Sequence, residues 1–547
     1  MNKAHPDRRL AALCLLAALA LPGCSYHHET NVESGRREQI LHFGNGDEPQ
    51  EIDPHVTTGI PEFHIMQALY EGLVSKDPKT LEIVPGVAAS WEISADQLHY
   101  TFHLRHDARW SNGDPVTAPD FVYSWHRALM PALGNLYAYM FFCIRNAEPF
   151  FKGEVRDFSE VGVRAPDDYT IEVQLDHPTP YFLQLLDHHS YYPVNPRVIA
   201  KYGAIDERGT GWTRPGRFVG NGPFTLDDWV LNRILTVKRN PYYWDAKTVR
   251  LNGIAFYPIQ NVNTEERMFR AGELHITDKI PPEKIAVYRR ERPEVLHITP
   301  YLGTYFYRFN TTRAPFNDVR VRRALAMSID RKEIVEHVAK GGQPPAWTVT
   351  PPNTNGYTAR TRIPYDVKEA RRLLAEAGYP DGKGFPKVEL TFNTAETHRQ
   401  IAIAAQQMWK SALNIDITLA NVDWQVYLDR ESRLDYQMTR AAWIGDYLDP
   451  TTFLDMFLSD SGNNRTGYKN PEYDALIEKA AQTADQAERY AVLQQAEAIL
   501  DRDVPVMPIY TYTQTRLIST DVQGWYHNIL DQHPYKYLWL GPAEAAH

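Results

Sequence analysis

Leu98-His99-Tyr100-Thr101-Phe102-His103-Leu104-Arg105 alternates apolar and polar side chains without a break. A period of two is what a strand with one face in a core and the other in water requires. The same period recurs from Tyr169 to Leu175, Val388 to Phe392 and Ile415 to Leu419, and these too are read as strands. Helical periodicity predicts helices from Ile401 to Lys410 and Gln486 to Leu500, and over Val319 to Ser328, where the preceding Asp318 supplies a capping side chain. Strands and helices alternate along the chain, so the fold class is α/β. Gly220-Asn221-Gly222-Pro223-Phe224 joins residues that tolerate positive φ to one that fixes φ, and predicts a tight turn into a strand. The aromatic stretch Tyr301 to Asn310, which runs into Pro315-Phe316-Asn317-Asp318, is read as the place where the chain exchanges lobes and a hinge lies.

The 547 residues allow about three or four domains. Hydrophobic residues at 43% and charged residues at 23% place the chain among globular proteins. A net charge of -10 with no basic cluster excludes nucleic acid as the natural partner, because phosphate binding needs a basic face. At the amino terminus Lys3, Arg8 and Arg9 precede an uncharged stretch from Leu10 to Leu21 that is too short to span a bilayer, the pattern of an export signal. It ends in Leu21-Pro22-Gly23-Cys24, which resembles a bacterial lipobox. Residues 1–23 are therefore expected to be a lipoprotein signal peptide, Cys24 the lipidated residue, and 24–37 a polar tether to a membrane. Cys14 leaves with the signal, so Cys143 stands alone in the mature chain as a small apolar residue with no disulfide.

Ala89-Ser90-Trp91, Tyr100-Thr101-Phe102, the run Trp110-Ser111-Asn112-Gly113-Asp114-Pro115-Val116-Thr117-Ala118, Asp120-Phe121 and Tyr123-Ser124-Trp125 form a long and ordered signature. With Pro315 to Arg322, Leu373 to Pro380, and Asp446-Tyr447 followed by Asp449-Pro450, it resembles the extracellular solute-binding proteins of family 5, which serve oligopeptide and dipeptide ABC importers. The likeness runs from about His42 to Leu538. It implies a two-lobed periplasmic-binding-protein-like fold of the large, three-domain type II variety. One lobe would combine 38–75, 200–301 and 513–547, with 76–199 inserted as a domain; the other would span 302–512. It also implies a monomer that encloses its ligand by hinge closure, a motion general to periplasmic binding proteins.

A sequence-tolerant peptide site must draw on the backbone and the two charged ends, since those are what all peptides share. The resemblance places Asp446, in Trp443-Ile444-Gly445-Asp446-Tyr447, on the peptide ammonium. It sets Trp443 and Trp424 against side-chain pockets, His398 and Arg440 near the carboxylate or an acidic side chain, and Glu62 facing the cleft from the opposite lobe, with Tyr137 and Tyr301 as further cleft residues. Two departures from that pattern, Arg308 in place of an acid and Ala339 in place of a lysine, are expected to alter pocket charge. Gly303 and Ile444 stand where some relatives pair cysteines. The alternatives are a specialised ligand such as a murein peptide, dipeptide, nickel chelate or haem, and a secreted hydrolase. No His-Glu-x-x-His, Gly-x-Ser-x-Gly or Walker loop supports the last. No cofactor, metal or catalytic residue is expected.

Overall fold

The structure is a computed structural model that describes residues 29–542, the side chains of residues 424 and 425 excepted. The signal peptide and Cys24 lie outside the described residues. Three principal sheets organise the chain. In the first, Ile40–Gly44 pairs in parallel with Gly253–Tyr257, and Ile234–Arg239 and Phe224–Val230 follow antiparallel. The second is antiparallel, in the order Ala88–Ile93, His99–Leu104, Thr170–Gln174, Val163–Asp167. The third has five strands, in the order Ile417–Val422, Val388–Asn393, Met438–Ile444, Leu296–Phe309, Val506–Leu517. The first two sheets build one lobe and the third builds the other.

Local sequence accounts for these elements. In His99–Leu104 the buried residues are Tyr100, Phe102 and Leu104, as alternation demands. Val319–Met327 begins where the Asp318 side chain accepts from the Arg320 N–H; Glu396–Leu413 extends the expected helix at both ends, and Gln486–Asp503 starts where expected and runs three residues further. The turn before Phe224 forms, but for a different reason from the one its composition suggests. Gly220 and Gly222 do not adopt the left-handed conformation; a Cβ on either would collide with the Leu69 carbonyl, and one on Gly222 with the Tyr70 backbone as well. Close approach, not positive φ, requires glycine there. Asn31–Glu38, most of it in the stretch read as a tether, is a helix. Thr30 and Glu33 form a reciprocal capping box, and the Val32 N–H donates to the Gly272 carbonyl at 2.8 Å.

Two strands carry the chain between the lobes. Leu296–Phe309 and Val506–Leu517 pair with register shifts between Pro300 and Thr304 and between Tyr305 and Phe306. Their far ends reach the first sheet, where Ile518 bridges Ile276 and the Leu517 N–H donates to Thr277. Gly303 and Ile444 are direct register partners, and the Ile444 side chain fills the space a Cβ at 303 would occupy. Between the sheets of the first lobe, Arg127 forms a bidentate pair with Asp53 at 2.9 and 2.6 Å, with both side chains buried. Its Nη1 lies 3.0 Å from His55 Nδ1; burial and the neighbouring guanidinium push that imidazole down to about 3, so it is neutral.

Candidate binding cleft

Asp446 follows the strand Met438–Ile444, whose lobe faces the inserted sheet domain. Its backbone N–H donates to Thr452 Oγ1 at 3.0 Å, and its Oδ2 accepts from the Tyr139 hydroxyl of the opposite lobe at 3.0 Å. Among the described residues no Lys, Arg or His forms an ion pair with it. Burial raises the carboxyl to about 7, against a smaller opposing effect of the Tyr139 hydrogen bond. Tyr137 and Tyr301 complete this end. Burial, and after it the Asp446 charge, raises the Tyr137 phenol. Tyr301 is raised by burial and by Asp531, with Asp446 a minor contributor.

The opposite charge lies further back on the same strand. Arg440 Nη2 donates to the Tyr512 hydroxyl at 3.0 Å, Nη1 approaches Asn393 Oδ1 at 3.4 Å, and the guanidinium stands 4.9 Å from the Tyr305 ring. The His398 ring lies 5.6 Å from the same tyrosine. Burial first, then the Arg440 charge, lowers His398 to about 3, so it is neutral at physiological pH. Among the described residues no carboxylate neutralises Arg440. Arg440 Nε and His398 Nδ1 are both buried without a protein hydrogen-bond partner, which makes this a site with unused capacity for an anion.

The remaining sequence-derived candidates separate. Trp443 lies an odd number of residues from Arg440 and so occupies the other face of the strand. There it packs against Leu302, Leu448 and Phe453 with Leu81 and Leu530 of the first lobe, its Nε1 unpartnered. Glu62 is buried near the start of the helix Ile60–Leu69, where it accepts from the Gln50 N–H at 2.8 Å. Trp424 begins the helix Trp424–Ser432, but its side chain is outside those described. Arg308 does not alter cleft charge. It is buried on the Trp443 face of the sheet and pairs with Glu431 at 2.9 Å. Ala339 is buried, and Lys340, in a left-handed cap, is exposed. Tyr139, Tyr305 and Tyr512 are site residues that sequence reasoning missed; Tyr139 stands two places from the candidate Tyr137.

Residues 82–465 match the family model described as bacterial extracellular solute-binding proteins, family 5 middle. The chain belongs to family 5 of the extracellular solute-binding proteins. This family-5 chain is 39% identical over 533 residues to the periplasmic oligopeptide-binding protein OppA of Escherichia coli K12, covering 95% of each. It superposes on the murein tripeptide-binding protein MppA of Escherichia coli with a TM-score of 0.81, at 36% identity over 92% of this chain and 98% of that one. Haemophilus influenzae OppA, in complex with RPPGFSPFR, gives 0.79 at 37% identity, over 92% and 99% of the two chains. Among the described residues of this family-5 protein, no group of three or more His, Cys, Asp or Glu could hold a metal ion, and no helix is long and apolar enough to cross a membrane.

Proposed function

We propose that this family-5 protein captures short peptides outside the cytoplasm, holding the ammonium at Asp446 and the carboxylate near Arg440 and His398, and hands them to an ABC importer. The observation that carries this reading is a pair of opposite charges on one strand and its exit, neither neutralised by a described protein counterion. Six residues of strand rise separate them by at most about 20 Å. An extended chain advances about 3.4 Å per residue, so peptides of up to about six residues fit between the two charges. Relatives whose names specify oligopeptides and a murein tripeptide support the same ligand class.

Calorimetry with tri- to pentapeptides, free, N-acetylated and C-amidated, tests the assignment. Free peptides are expected to bind most tightly, and equal affinity for all three forms would refute it. Arg440→Met is expected to weaken free peptides by about tenfold to a hundredfold while leaving amidated ones unchanged, since one partner of a buried charge pair costs about 2 kcal/mol or more. The same reading has the chain exported as a monomer and anchored through Cys24. Replacing Cys24 with Ser is then expected to abolish incorporation of labelled fatty acid and to move the protein from the membrane fraction to the soluble one.

A further inference from the structure

A contact between the lobes lies next to Asp446 and involves no candidate ligand group. Tyr181, in the inserted domain, stacks on Tyr447 of the other lobe with ring centroids 5.1 Å apart and planes at 5°. The Arg489 guanidinium stands 5.0 Å from the same Tyr181 ring. Arg489 is fixed from behind: its Nη1 and Nη2 donate to the two oxygens of Asp449 at 2.7 and 2.6 Å, with both side chains buried. Asp449 Oδ1 also accepts from the Thr451 N–H at 3.0 Å and hydroxyl at 2.8 Å. The adjacent Thr452 hydroxyl is the group that receives the Asp446 N–H. Tyr447 is buried within the apolar cluster of the inserted domain, among Phe182, Leu185 and Tyr100, although it belongs to the opposite lobe. A groove of about 560 Å³ beside this contact is lined by Tyr100, Pro180 and Leu183 from one lobe and by Asp449 and Arg489 from the other.

We infer that Tyr181 is a positioning residue: clamped between Tyr447 and Arg489, it latches the lobes together, acting on affinity without touching ligand. The ring has to leave two partners when the lobes part, so the contact favours the closed arrangement by itself. A group that binds ligand directly discriminates among ligand ends; a latch acts on every ligand alike. This role deepens the peptide reading and rests on it only for the affinity measurement below.

Tyr181→Ala and Tyr181→Phe provide the test. Losing the aromatic stack is expected to make Tyr181→Ala bind free and N-acetylated peptides more weakly by the same factor, about fivefold, through faster release. Tyr181→Phe keeps the stack and is expected to retain wild-type affinity. In parallel, spin labels on Glu154→Cys and Lys479→Cys report the distance between lobes in protein without peptide, with circular dichroism confirming that each variant is folded. Tyr181→Ala is expected to shift that distribution to longer distances, and Tyr181→Phe to leave it in place. Unchanged distances in Tyr181→Ala overturn the latch, whatever happens to affinity. A loss confined to free peptides also overturns it, because Tyr181 would then belong to the ammonium site. Should no peptide bind even the wild type, the peptide reading fails and the distance measurement alone decides the latch.

Discussion

Asp446→Asn is expected to weaken free-amino peptides by tens-fold to thousands-fold and to erase the preference over N-acetylated forms. The reason is desolvation. A peptide ammonium enclosed between the lobes loses its water, and only the Asp446 carboxylate is placed to replace it; removing one partner of such a pair costs about 2 to 5 kcal/mol. Asp446 also makes binding pH-dependent in a definite direction. Burial raises the carboxyl to about 7 before ligand arrives, and only the ionised form meets an ammonium. Apparent affinity is multiplied by the ionised fraction, so it is expected to fall about 25-fold between pH 7.5 and 5.5, and to stay nearly flat in Asp446→Asn. Stability without ligand runs the other way. The folded state keeps a proton that the unfolded chain, titrating near 3.8, releases. Stability from this group is therefore present at low pH and is lost as pH rises through about 7. Calorimetry and thermal melts across that range check both signs, and a peptide affinity that rises on acidification would overturn the assignment.

Arg127→Met is the substitution expected to damage the fold most. It strands Asp53, whose partner it removes, in a core where both side chains are buried, and breaking a buried pair from one side costs about 3 to 5 kcal/mol. That is a large part of a typical domain stability of about 5 to 15 kcal/mol. Asp53 lies before the inserted domain in sequence and Arg127 lies within it, so the loss should uncouple the inserted sheet from the first one. Burial alone would raise Asp53; the Arg127 guanidinium outweighs it and holds the carboxyl below its usual value. This contribution is present above about pH 4 and is lost as pH falls through the depressed value. Denaturant unfolding provides the measurement. The double replacement Asp53→Leu with Arg127→Met should recover most of the loss, and a single-variant cost below about 1 kcal/mol would mean that the pair is not desolvated.

Sequence carried the local part of this architecture well. Alternation fixed His99–Leu104, and Asp318 marked the start of its helix, because both signals sit within a few residues of what they specify. Sheet order was not legible, since Ile40–Gly44 has its partner at Gly253–Tyr257, far away along the chain, and no local signal marks that pairing. The cleft divides in the same way. The family likeness singled out Asp446 and Arg440, whereas Tyr139 meets Asp446 across 307 residues and Tyr181 meets Arg489 across the lobes. Trp443 and Arg308 show information present but unused: strand parity alone puts both on the face away from Arg440, so neither joins the Arg440 cluster. Glu62 is an acid whose helix-start position gives it a local partner, the Gln50 N–H, that its sequence context did not announce.

The capped helix Asn31–Glu38 fixes the length of the leash. If the anchor proposed at Cys24 holds, the Thr30 cap lies six residues beyond it, and the first lobe stands no more than about 20 Å from the bilayer surface.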